Sequence, residues 1–197
     1  MKKLVALLSL ALSSQALAVN NVRLGVPSYG GNGCPAGSAS ATLAPDASSL
    51  SLLFDRYILE AGGSTGRTID RKSCNVAIPV IVPQGYQVSI FQVDYRGFNG
   101  LPAGARSQFN VEYFFAGSRG PQVQRSFQGP QAQDFMIRNT LVAETLVWSP
   151  CGAQVILRAN TNMNVTNSNR SAVALSTLDS IDISAGIVYG FSWRTCR

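Results

Sequence analysis

The feature that most constrains this chain is a two-residue alternation of apolar and polar side chains. In QFNVEYFF, Phe109, Val111, Tyr113 and Phe115 share one face, and Gln108, Asn110 and Glu112 the other. Val76, Ile78, Val80 and Val82 alternate in the same way, as do Val155, Leu157 and Ala159 against Gln154, Arg158 and Asn160. Near the C-terminus, Ile187, Tyr189, Phe191 and Trp193 form a further apolar face. Successive side chains of a strand point to opposite faces of its sheet, so this pattern reads as strands with one buried face. No segment shows a long apolar period at helical spacing, and the expected fold class is all-β.

Breaks in the alternation mark the strand ends and irregularities. Pro79 lies inside an apolar run and cannot donate a ladder hydrogen bond, so its strand is expected at an edge or with a bulge. Pro83-Gln84-Gly85 reads as a turn, with φ preset by Pro83. The following run changes its apolar face from Tyr86, Val88 and Ile90 to Phe91, Val93 and Tyr95, which suggests a bulge or a strand buried on both sides. The stretch Ala41 to Leu59 reads as strand, turn at Pro45-Asp46, strand. Further turn signals stand at Gly62-Gly63, Asn99-Gly100, Gly117 to Pro121 and Gly129-Pro130. The expected architecture is an antiparallel β-sandwich of about nine or ten strands, with a β-barrel as the alternative. Residues 33–197 are expected to form one domain, preceded by a flexible Gly- and Asn-rich arm over residues 19–32.

The chain opens MKKLVALLSLALSSQALA. Lys2 and Lys3, the short apolar run Leu4 to Leu12 and the small-x-small site Ala16-Leu17-Ala18 are the three parts of a secretory signal peptide, in order. Cleavage is expected after Ala18, with the product secreted or periplasmic. No later segment is long and apolar enough to suggest a membrane span. The formal net charge is +6, and two of those charges leave with the signal. The remaining cations are nearly all arginines and are scattered. A nucleic-acid partner needs a clustered basic patch, and none is expected.

Cys34, Cys74, Cys151 and Cys196 are an even set in an exported chain and read as two disulfides. Of the three possible pairings, Cys34–Cys74 with Cys151–Cys196 is preferred. Each bond then closes a loop of about forty residues, worth about 4 kcal/mol in the chain-entropy model. The other pairings tie the N-terminal half to the C-terminal half. There is no CxxC spacing and no histidine, so no metal site or cofactor is expected. The same absence weakens serine-hydrolase and thiol-nucleophile chemistry, which need a base.

Several motifs recur together: Gly33-Cys34-Pro35, Pro83-Gln84-Gly85-Tyr86, Asp94-Tyr95-Arg96-Gly97, Tyr113-Phe114, Gly129-Pro130, Trp148-Ser149-Pro150-Cys151-Gly152, Asp179-Ser180-Ile181-Asp182, and Trp193 with Cys196. In order and spacing the set resembles the secreted family called domain of unknown function 4360, found in bacteria and fungi. The resemblance runs from Gly33 to Cys196. It implies an exported, disulfide-bearing domain and brings no activity and no catalytic residues.

Two groups of residues are candidate sites. Tyr95, Arg96 and Phe98 could form a stacking platform for a sugar or peptide. The alternative is that Asp94 fixes this loop through Arg96 or backbone, with Tyr95 in the core. Asp179 and Asp182 could ligate calcium through oxygens, act as a carboxylate pair for glycoside hydrolysis, or stabilise a turn. Trp148 and Trp193 are each three residues from a cysteine and are expected to pack in the core. Asn160, Asn162 and Asn164 line one strand face, either as contacts for carbohydrate hydroxyls or as a solvated surface. The function expected is a non-enzymatic binding or structural β-sandwich whose partner is a glycan, an envelope polymer or an extracellular protein. The alternative is a polysaccharide-active hydrolase using a carboxylate pair. Intact-mass analysis of the exported protein is expected to show a chain starting at Val19; a product still starting at Met1 contradicts the signal-peptide reading.

Overall fold

The computed structural model describes residues 23–43, 49–140, 148–178 and 187–196. Within them, thirteen strands lie in two antiparallel sheets. In chain order they are β1 (Arg23–Leu24), β2 (Ser28–Gly30), β3 (Ala39–Leu43), β4 (Ser49–Phe54), β5 (Ile58–Gly62), β6 (Ile69–Ile81), β7 (Tyr86–Leu101), β8 (Ala105–Phe115), β9 (Gln122–Gln128), β10 (Gln131–Thr140), β11 (Gln154–Asn167), β12 (Val173–Thr177) and β13 (Ile187–Thr195). The first sheet runs β1-β6-β11-β8-β9, with β2 also on β6. The second runs β3-β4-β13-β7-β12-β5, with β10 on β7. Neither closes into a barrel, so the molecule is a sandwich. The strand number exceeds the expected one partly because the segment read as a loose arm contributes β1 and β2, which pair with β6.

The irregular residues act locally as their chemistry requires. On the outer side of β6, β2 pairs with residues 75–77 and β1 with residues 80–81, so Pro79 falls between them. Its carbonyl accepts the Gly25 N–H at 2.8 Å. A residue's N–H and C=O point to the same side of an antiparallel strand. The missing N–H of Pro79 therefore costs no bond to β11. At the Pro83–Gly85 turn, Tyr86 N–H donates to the Pro83 carbonyl at 3.1 Å, and Gly85 adopts φ +82°. The face change in β7 is a bulge: Gly190 pairs with Gln92 and Phe191 with Ile90, so Phe91 is the extra residue.

Asn99-Gly100 is not a turn. Both lie within β7, and the chain reverses after Leu101, with Ala105 N–H donating to Pro102. The side chain of Asn99 faces the interior and accepts a hydrogen bond from Ser176 Oγ. Gly100 leaves room for the Phe98 ring, which lies 3.2 Å from where a Cβ at Gly100 would sit. Tertiary contacts thus replace the turn that this dipeptide favours in isolation.

The core lies between the sheets and holds Phe54, Tyr57, Leu59, Ile78, Tyr95, Phe109, Tyr113, Leu157 and Met163. Leu52 and Phe54 point inward and Leu53 outward, the alternation of a strand with one buried face. The side chains of Ile187, Tyr189, Phe191 and Trp193 lie outside the described residues. The disulfides are Cys34–Cys74 and Cys151–Cys196. The first ties the entry to β3 to the middle of β6. The second ties the entry to β11 to the end of β13.

Polar groups cross the core in pairs. Tyr95 of β7 and Tyr113 of β8 are hydrogen-bonded through their hydroxyls, and Asn139 of β10 donates to the Tyr113 hydroxyl at 3.2 Å. Ser107 of β8 meets Ser176 of β12 at 2.9 Å. The Tyr57 hydroxyl donates to the Lys72 carbonyl at 3.2 Å and lies 3.3 Å from Thr161 Oγ1. Burial pushes the Tyr57 and Tyr113 phenols well above their ordinary value of 10.0. A folded-state pKa raised above the unfolded one gives stability that is full below the unfolded value and is lost as pH rises above it. Alkaline titration followed by tyrosinate absorbance and circular dichroism is expected to show these two phenols ionising only with loss of structure, above about pH 10. Ionisation of every tyrosine with the fold intact contradicts this.

Candidate functional site

The sites expected from sequence are largely dispersed by the fold. Tyr95 is fully buried and packs against Phe109, with ring centroids 4.8 Å apart and planes tilted by 56°. Arg96 and Phe98 lie on the outer face of the second sheet. The three residues therefore form no common platform, because neighbours in a strand face opposite ways. Asp94 does not pair with Arg96. Its carboxylate is held by Arg138 on β10, with Nε 3.0 Å from Oδ1 and Nη2 3.0 Å from Oδ2, and Gln92 Nε2 also donates to it. The hydrogen bonds and charge of Asp94 push the Arg138 guanidinium further above its ordinary range. Asp179 and Asp182 lie outside the described residues. No cluster of three His, Cys, Asp or Glu residues is found among the described ones. Trp148 is half-buried rather than in the core, with the Arg194 guanidinium 4.1 Å above its ring.

The outer face of the first sheet has an order that sequence reasoning only half saw. Asn160, Asn162 and Asn164 share the outer face of β11, a central strand between β6 and β8. The register extends each of them into a row across four strands. Asn75, Asn160, Glu112 and Gln122 form one row. Ser73, Asn162, Asn110 and Gln124 form the next, and Arg71, Asn164, Gln108 and Ser126 the third. With strands about 4.8 Å apart, each row spans roughly 15 Å. The first two rows border a shallow groove of about 480 Å³ lined by Asn110, Glu112, Gln122, Gln124, Asn160 and Asn162, with Val111 and Val123 beneath. A second cavity among the described residues, near Tyr113 and Pro121, holds about 10 Å³ and has room for a single water at most.

The chemistry of this face is that of neutral amides. Each Asn or Gln offers two N–H donors and one carbonyl acceptor in a fixed plane. Asn is depleted in strands, where Thr or Val is favoured. Three in a row at outward positions of a central strand break that local preference without contributing to the core. Such breaches concentrate at functional sites. Asn164 is satisfied, donating to Gln108 Oε1 at 3.4 Å. Asn160 is not: its Oδ1 is shielded from solvent and accepts no hydrogen bond among the described residues. An orphaned buried acceptor of this kind costs about 1–3 kcal/mol. Glu112, its neighbour in the same row, adds the one carboxylate of the groove.

Three comparisons bear on identity. The family model described as Domain of unknown function (DUF4360) matches residues 20–196. An uncharacterized secreted protein of Arthroderma benhamiae is 32% identical over 169 residues, covering 85% of this chain and 69% of the relative. Among solved structures, TmCBM61 in complex with beta-1,4-galactotriose aligns over 86% of this chain and 88% of its own, at 13% identity and a TM-score of 0.27. At that score the likeness carries no argument about ligand. A secreted relative and two disulfides agree with an extracellular location. No helix among the described residues is long and apolar enough to cross a membrane.

Proposed function

Since this chain belongs to the family described as Domain of unknown function (DUF4360), no activity comes with its relatives, and from the geometry we propose an exported, non-enzymatic module that binds a neutral glycan. The glycan lies along the outer face of the first sheet, over the rows of Asn160 and Asn162. The observation that carries this reading is the groove lined by the side-chain amides of Asn110, Gln122, Gln124, Asn160 and Asn162. A sugar hydroxyl both donates and accepts. It can donate to an amide carbonyl of the groove and accept from an amide N–H beside it. An extended polymer matches the strand-to-strand repeat of the rows, and a mostly uncharged groove favours an uncharged chain. Export is proposed to follow cleavage after Ala18.

Retention of the mature, oxidised protein on insoluble neutral polysaccharides (cellulose, chitin, β-glucan and galactan) tests the reading. Saturable retention without release of soluble sugar is expected on at least one. The Asn160→Thr and Asn162→Thr double variant should lose about tenfold in affinity, the equivalent of one or two hydrogen bonds. It should be at least as stable as the parent, because Thr suits a strand better by a few tenths of a kcal/mol, or about 0.5 per site. A face with only a structural role would show neither part of that trade. Phe98→Ala, on the opposite sheet, should retain binding. Binding lost in Phe98→Ala and kept in the Asn variant would move the site to the Arg96–Phe98 surface.

A further inference from the structure

The second sheet ends in an edge with unusual symmetry. β10 is paired with β7 along its whole length, and among the described residues no strand pairs with its other side. An edge of ten residues offers a row of free N–H and C=O groups, a template for another strand. Its centre, Gln133-Asp134-Phe135-Met136-Ile137-Arg138-Asn139, reads the same chemically in both directions from Met136. On each side stand an apolar residue, then a charge, then an amide, and the two charges are opposite in sign. Asp134, Met136 and Arg138 are exposed on the outer face, whereas Phe135, Ile137 and Asn139 point into the core.

We propose that two copies of this chain join through β10, antiparallel and two-fold about Met136, so that the second sheet continues from one copy into the other. Asp134 of each copy then stands opposite Arg138 of the other, Met136 opposite Met136, and Phe135 opposite Ile137. Directly opposed cross-strand pairs of opposite charge are stabilising, and a two-fold contact uses each pair twice.

The fold leaves these groups available. The ion pairs among the described residues are Arg67–Asp70 and Arg138–Asp94, so Asp134 has no ion pair among them. The Met136 side belongs to the most exposed apolar positions, at 53%. Arg138 holds Asp94 through Nε and Nη2, and its side chain stays 54% exposed. A guanidinium has five N–H donors and can take a second carboxylate.

Charges on an edge strand often serve to repel other copies. That purpose requires like charges at positions that would meet, and β10 has the reverse. The contrast is β9, the edge of the first sheet, which carries Arg125 at its centre and no acid. A copy paired about that centre would set Arg125 against itself. Opposed residues in a sheet share a face, so the two-fold axis of the β10 dimer runs perpendicular to the sheets. Both amide faces then lie on one side of the dimer, where a single polymer could reach them together.

Sedimentation velocity of the oxidised mature chain over a wide concentration range tests this. The expected result is a reversible monomer–dimer equilibrium, weakened by salt. Asp134→Arg turns both intermolecular ion pairs into Arg–Arg repulsions and should raise the dissociation constant at least about tenfold. Asp134 is exposed and has no ion pair among the described residues, so circular dichroism of that variant should match the parent. Met136→Cys should form a disulfide-linked dimer under mild oxidation, since directly opposed residues have Cα atoms about 4.5–5.5 Å apart, within disulfide range. A parent that stays monomeric throughout overturns the proposal. So does a dimer that ignores Asp134→Arg and does not cross-link through Met136→Cys.

Discussion

Hydrogen bonds that cross the core set how the two sheets lie on each other, and the rest of the molecule depends on that alignment. Apolar burial draws the sheets together but has no direction. The Tyr113 hydroxyl of β8 supplies direction by bonding Tyr95 of β7 and Asn139 of β10. Ser107 and Ser176, with Asn99 behind them, form a second link across the core. A buried polar group without a partner costs more than its hydrogen bond returns, so a slip of one sheet over the other would leave several groups unsatisfied. The cysteine pairs reinforce this frame at two entry points. The Cys34–Cys74 bond closes onto the same β6 segment whose Cys74 carbonyl accepts from Thr161.

A sandwich filled in this way leaves little room inside. Among the described residues, the cavity near Tyr113 and Pro121 admits at most a water, and the roomier groove lies on an outer face. The two outer faces differ in kind. The first sheet presents amides in rows. The second carries the Asp94–Arg138 pair, the Phe98 ring over Gly100 and the exposed Met136. The first suits a hydroxyl-rich polymer, and the open edge of the second suits another copy of the chain. The two readings do not compete for surface.

Much of the fold was legible in the sequence because alternation is a direct readout of burial. The bulge at Phe91 follows from a change of face; Pro79 was expected at an edge or bulge, and its strand instead carries β1 and β2 outside it, with Pro79 in the gap between them. The disulfide pairing followed from keeping each loop within one half of the chain. What escaped was everything that depends on register. Asn99-Gly100 has the local chemistry of a turn, and only Ser176 on β12 and the ring of Phe98 explain why it stays extended. Tyr95, Arg96 and Phe98 are close in sequence, yet a strand sends the first to the core and leaves the others half-buried on the outer face. Asn160 and Asn162 were visible as a face of one strand. Glu112, Asn110, Gln122 and Gln124 joined them only once β8 and β9 were aligned beside β11. The signal in the sequence was the run of asparagines in a strand, a choice that stability alone disfavours.

The central claim is that the amide rows of the first sheet are the binding face. The most direct measurement is the side-chain NH2 signals of Asn and Gln residues in a 15N-labelled protein, followed by NMR as a soluble neutral oligosaccharide is added. The account predicts saturable shifts confined to Asn75, Asn110, Asn160, Asn162, Gln122 and Gln124, with backbone signals around Phe98 and Met136 unmoved. Shifts centred on Phe98, or saturable binding that leaves the amide rows untouched, would contradict it.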